Sequence, residues 1–268
     1  MNAAPGQGGL TLALNAAEDR LMLALGACAP ESSPGPPETE LFFAQEWQAK
    51  ARGAELLVPA LHHALTALGL APDRIGRVAV VSGPGGFTGL RLTAVSAAAL
   101  ARGLRLRTAA LPYLPLLAAA ALASLDYRSG ASLNLSGELA GPQRRLPRIW
   151  ALVHARRGSI LAQSFAAMRV DAGSLLPEAL SPPLFLELEE CAALLREQDA
   201  PALILGSGLS RNRDFFRASL DGKSPALPLP PEFDHPCPAF LLRCALHEPD
   251  SSYSRDDIRP MYMRPIMS

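Results

Sequence analysis

The chain has 268 residues, 49% of them hydrophobic and 19% charged, which suits a globular fold with one large core or two smaller ones. Its 25 basic and 25 acidic side chains cancel, which argues against a protein that grips nucleic acid by charge alone; the clusters Arg144, Arg145, Arg148 and Arg211, Arg213, Arg217 read as solvated surface. Cys28, Cys191, Cys237 and Cys244 form no CxxC pair and read as reduced, buried thiols, no secretory leader is visible, and the apolar run 114–123 is too short to span a bilayer, so a cytoplasmic protein with no membrane partner is expected.

The chain opens with short apolar segments at 10–15 and 21–27 around the polar turn Ala17-Glu18-Asp19-Arg20, which predicts a hairpin. The Pro- and Ser-rich stretch 28–39 reads as a loop and 41–47 as a third strand. Leu57, Leu61, Leu65 and Leu68 make one apolar stripe, which predicts a helix over 54–68 stopped by Gly69. Pro59 removes a backbone donor, so the regular helix begins near it or bends there. The β-branched run 78–82 predicts a strand buried on both faces, leading into Gly83-Pro84-Gly85-Gly86-Phe87-Thr88-Gly89. A helix over 90–102 ended by Gly103, a strand at 108–110 and an Ala/Leu helix over 113–125 follow. Residues 127–147, rich in Ser, Gly, Asn and Arg, read as an insertion.

The same order then returns. A hairpin at 149–155 and 159–166 turns at Arg156-Arg157-Gly158, with a strand at 184–186 and a helix at 187–197. A strand at 202–205 enters Gly206-Ser207-Gly208, and a helix follows at 211–220. A terminal helix is expected at 236–247. Three strands, a helix, a strand, a glycine loop and a helix thus occur twice. That pattern matches an α/β fold of the duplicated two-lobe kind, actin-like and ribonuclease H-like. The expected lobes are 1–110, completed by about 236–268, and 111–235 with the insertion at 127–147.

The stretch Val80-Val81-Ser82-Gly83-Pro84-Gly85-Gly86-Phe87-Thr88-Gly89-Leu90-Arg91 resembles the G-P-G-S-F-T-G-[LVI]-R signature of the bacterial TsaB (YeaZ) family, with Gly86 in place of Ser. Glu55 to Pro59 resembles the family's H-S-E-x-L-L-P helix start, with Gly53 and Ala54 where His and Ser are usual. Ala155 to Gly158 resembles its D-A-R-x-G turn, and Pro260 to Arg264 its P-x-Y-L-R tail. The resemblance implies a non-catalytic, glycoprotease-like scaffold subunit. It would pair with a TsaD-type homologue, together with a TsaE-type ATPase, to make threonylcarbamoyladenosine beside the tRNA anticodon. Contact with tRNA would be indirect, and the isolated chain would be able to form a homodimer. The resemblance also implies a helical bundle between partners, built here from the helix over 54–68 and the small-sided helix after the glycine loop. The partner-facing residues are then expected to be Leu57, Leu61, Leu65, Leu90, Thr93, Ala94, Ala97 and Ala101.

The chemistry of the residues points the same way. An actin-like ATPase needs carboxylates at the first-strand turn of each lobe to hold a metal and its waters against phosphates. Here Asn15 and His154 stand where the family usually has Asp, and neither brings a negative charge. His62 and His63 are adjacent on a helix and point about 100° apart, which suits no chelate. No catalytic residue, metal or cofactor is therefore expected. Gly83, Gly85, Gly86 and Thr88 have two readings: an anion cradle of free N–H groups, or a tight strand-to-helix turn, which the missing carboxylates favour. Two rivals remain: an ATP-binding enzyme or glycoprotease-like hydrolase, and a stand-alone small-ligand binding module.

Overall fold

A computed structural model describes residues 9–28, 39–49, 52–129, 148–167, 175–220, 224–255 and 258, with side chains at 126–129 excepted. The expected loop after Cys28, most of the expected insertion and the Pro260–Arg264 tail lie outside the described residues.

Two compact units divide the chain, one formed by residues up to Tyr113 together with the segment from Cys237, the other running from Leu114 to Pro236. In the first, β1 (Leu10–Asn15), β2 (Arg20–Cys28) and β3 (Thr39–Gln48) form an antiparallel meander. Next, β4 (Ile75–Gly83) and β5 (Arg107–Pro112) add in parallel beside β1, giving the order β3-β2-β1-β4-β5. Alternation along the strands sorts the layers. Leu21, Leu23 and Leu25 of β2 pack with Leu12, Leu14, Val78 and Val80 under α1 (Gly53–Ala67) and α2 (Phe87–Leu104). Gly26 points the other way, towards Leu242 of α7 (Pro238–His247), whose Leu241 and Leu242 are fully buried.

The second unit repeats this plan. Here β6 (Arg148–Arg156), β7 (Ser159–Ala166) and β8 (Leu184–Glu187) are antiparallel, and β9 (Ala202–Leu205) and β10 (Ala226–Pro228) add in parallel. The order β10-β9-β6-β7-β8 is the same topology as in the first unit. Leu152, Ile160 and Ile204 pack against α4 (Leu188–Arg196) and α6 (Arg213–Leu220) through Cys191, Leu195, Phe216 and Leu220. The acid pair Glu187 and Glu190 closes a capping box at the start of α4. Between β5 and β6 runs α3 (Tyr113–Ser129), whose residues Leu116 to Leu122 are all buried.

Several expectations are corrected. α1 begins at Gly53 and runs through Pro59, whose missing N–H falls on the exposed side of the helix, while the stop expected at Gly69 is found, with φ +63° just past the helix end. α2 does not stop at Gly103; it continues to Leu104, and the left-handed residue that ends it is Arg105, φ 57°. α3 extends to Ser129, past the expected start of the insertion. The helix expected over 211–220 is α6, and the Gly206-Ser207-Gly208 stretch expected as a loop before it holds a further short helix, α5 (Ser207–Ser210). The short β10, closed by Pro228, carries too little periodicity to be read from sequence. Cys28 and Cys237 are exposed rather than buried.

Candidate functional site

The glycine loop of the first unit is shaped by what lies against it. Gly83 holds φ 111° and precedes a cis Pro84. A Cβ at Gly85 would stand 2.1 Å from the Ala17 carbonyl oxygen, and one at Gly89 would stand 1.8 Å from that of Ala16. The Gly86 N–H donates to the Ala17 carbonyl at 2.5 Å. These glycines therefore let the start of α2 press onto the turn after β1. One N–H of the expected anion cradle is spent on that contact, and Thr88 is exposed at the helix start. The second unit uses the same device: Gly206, φ 108°, would place a Cβ 2.2 Å from the Leu152 carbonyl oxygen of β6.

The turn after β1 is committed inward as well. Asn15 is 2% exposed; its Oδ1 accepts from the Ala17 N–H at 2.9 Å, and its Nδ2 lies 3.5 Å from the Met22 sulfur. An Asn does this work without burying a charge. The carboxylate of Glu18, which sequence reasoning passed over, accepts from the Tyr113 hydroxyl at 2.7 Å. At the corresponding turn of the second unit, the His154 backbone N–H donates to the Ser207 hydroxyl at 3.0 Å. Beside it, burial pushes the Asp234 carboxyl above its ordinary value, against the pull of the Ser210 hydroxyl, the Gly206 backbone, His235 and Arg213. Among the described residues, no three His, Cys, Asp or Glu side chains gather into a metal-sized group, and no helix is long and apolar enough to cross a membrane.

The eight residues expected to face a partner divide differently. Leu57, Leu65, Leu90, Thr93, Ala94 and Ala97 are buried inside the first unit, and Leu61 and Ala101 are half-buried against the same core. The Thr93 hydroxyl bonds back to the carbonyls of Gly89 and Leu90 within its own helix. This is a correction: the apolar stripe of each helix serves the sheet it covers. The outward faces carry other apolar residues, Val58 on α1 at 68% exposure and Phe87 and Val95 on α2 at 56% and 60%. They make up three of the six large hydrophobic side chains exposed among the described residues. The Arg91 guanidinium lies 5.8 Å from the Phe87 ring centre. The signal was present in sequence, since Phe87, Arg91 and Val95 recur every four residues on α2, one face round from the buried stripe.

Residues 48–182 match the family model described as TsaD, tRNA N6-adenosine threonylcarbamoyltransferase. YeaZ from Pseudomonas aeruginosa superposes with a TM-score of 0.66 at 17% identity, covering 95% of this chain and 100% of that one. A second structure, described as an uncharacterized protein with similarity to peptidase YEAZ from Pseudomonas aeruginosa, has a TM-score of 0.58 at 19% identity, covering 88% and 90%. A Bacteroides thetaiotaomicron protein with an actin-like ATPase fold matches at a TM-score of 0.44 and 9% identity, over 92% and 98% of the chains. No curated protein sequence matches. The fold, two five-stranded mixed sheets of one topology, is the duplicated α/β fold shared with YeaZ.

Proposed function

We propose, from the premise that this chain belongs to the TsaD family of tRNA N6-adenosine threonylcarbamoyltransferases, that it serves as a YeaZ-type scaffold that recruits a catalytic TsaD-type homologue and performs no transfer itself. The observation that carries this reading is the outward face of α1 and α2. Val58, Phe87 and Val95 hold apolar surface in water on helices whose other face already fills the core. Burying such residues against a partner helix recovers about 25 cal/mol for each Å² of apolar area. The committed turn supports the non-catalytic part: Asn15 is neutral and turned inward, and Glu18 is held by Tyr113. Tight Mg-ATP binding would need a free carboxylate there. A TsaE-type ATPase joins through the same complex, tRNA is met through the partner, and two copies of this chain pair through the same face when the homologue is absent.

Co-purification with the TsaD-type homologue of the same organism tests this. The wild type should form a stable complex. Val95→Glu combined with Val58→Glu should weaken it at least about tenfold while leaving the melting temperature of the isolated chain nearly unchanged, because both sites are exposed. Failure to pair across a range of salt concentrations sinks the scaffold reading, as does steady ATP turnover by the isolated chain.

A further inference from the structure

At the C-terminal end of α2 lies a pocket of about 220 Å³, whose lining begins at Ala98, about one helical turn beyond Val95. Its floor includes Ala101 and Leu106, and three of its lining side chains are arginines: Arg102, Arg105 and Arg255. Thr108 of β5 completes the wall. The segment carrying Arg255 is tied in place, because Ser254 and Thr108 exchange backbone hydrogen bonds at 2.7 and 2.9 Å. Two elements distant in the chain thus bring three guanidinium groups to one concavity. The neighbouring Arg107 does not line the pocket and is turned to Asp250 at 3.5 Å. Asp256 and Asp257, which follow Arg255, lie outside the described residues.

One arginine near a helix C-terminus is ordinary, since it faces the negative end of the helix dipole. Arg105 is not explained that way. It occupies the left-handed position that ends α2, where glycine is the favoured residue and an L side chain is strained. Strain kept at one position, with the side chain lining a charged pocket, points to use of that side chain. Planar guanidinium forks match the oxygens of phosphate better than any other side chain does, and those of Arg105 and Arg255 balance a dianion. The volume exceeds what a bare phosphate fills and leaves room for an ester substituent over Ala101 and Leu106.

We infer that this pocket binds a phosphate group, that of a nucleotide or other phosphate ester. The inference does not depend on the scaffold reading.

Arg105→Gly tests it, because the variant removes the strained side chain instead of damaging the fold. Calorimetric titration of the full chain with inorganic pyrophosphate and with ADP should show binding that weakens as salt rises. In Arg105→Gly the melting temperature should rise while affinity for both probes falls about tenfold or more. Arg255→Gln, on an exposed segment, should reproduce the loss of affinity. A short oligonucleotide without a terminal phosphate that competes with pyrophosphate would assign the source to a nucleic-acid backbone; failure to compete would assign it to a free phosphate ester. Absence of pyrophosphate binding by the wild type, or unchanged affinity in Arg105→Gly, overturns the inference.

Discussion

Single residues in this protein are governed by what burial does to charge. Cys191 and Cys244 are buried, and burial pushes both thiols up to about 12, so they stay protonated and unreactive near neutral pH. Cys28 and Cys237 are exposed. A thiol reagent at pH 8 should label two cysteines in the folded chain and all four in denaturant; rapid labelling of more than two in the native state would contradict this burial. Asp234 offers a pH test. Burial raises its folded value above the ordinary 3.8. In the window just above that value the folded chain holds the proton more firmly than the unfolded chain does. Stability from this group is therefore present at low pH and is lost as pH rises through the folded value. Asp234→Asn carries no such dependence, so its melting temperature relative to wild type should be higher at pH 7 than at pH 4. An equal difference at both values would show that the carboxyl is not perturbed. None of this was legible in sequence, where four scattered cysteines looked alike. What separates Cys28 from Cys191 is the end of a strand against the inner face of α4, and only packing distinguishes them.

At the scale of elements, the glycines show how local pattern and tertiary contact share the work. Gly89 and Gly103 lie on the same helix, α2. A Cβ on Gly89 would meet the Ala16 carbonyl oxygen at 1.8 Å, and one on Gly103 would meet nothing within 4 Å. Gly89→Ala should therefore cost about 3 kcal/mol through a forced shift of helix from turn. Gly103→Ala should stabilise by about 0.5–1 kcal/mol through helix propensity. Urea unfolding of the two variants decides the matter, and equal effects would remove the close approach of α2 to Ala16 from the account. The glycine-rich stretch was legible as a strand-to-helix loop. The specific need at Gly85 and Gly89 was not, since it arises from Ala16 and Ala17, some 70 residues earlier in the chain. The apolar stripes of α1 and α2 were also legible, but their destination was misread. Periodicity marks which residues share a face and is silent on whether a sheet or a partner covers it. Leu57 and Ala97 went to the sheet, which leaves Val58 and Val95 to water.

For the whole molecule, the chain returns to its first unit at the end. α7 lays Leu241, Leu242 and Leu246 against the far face of the β1–β3 meander. Arg77 of β4 then gathers the segment after it: its guanidinium bonds Asp250 at 3.1 Å and lies 4.6 Å from the Tyr253 ring centre. The Tyr253 hydroxyl, pushed up to about 12 chiefly by burial, donates to the Ala245 carbonyl at 2.6 Å. Removing three buried leucines forfeits about 6 kcal/mol, a large part of a typical domain's stability. A chain ending at Pro236 should therefore lose amide protection in β1 and β2, measured by hydrogen exchange; retained protection there would mean that the first sheet does not need α7. Local sequence was enough for the repeated strand–helix order, the meander in each half and the want of a carboxylate at positions 15 and 154, because period and side-chain chemistry are local properties. Tertiary structure alone decided which face of α1 and α2 is free, why an Asn suffices at position 15, and that arginines 102, 105 and 255 share one pocket. Each of these depends on the distance between residues far apart in the chain, which no local pattern encodes.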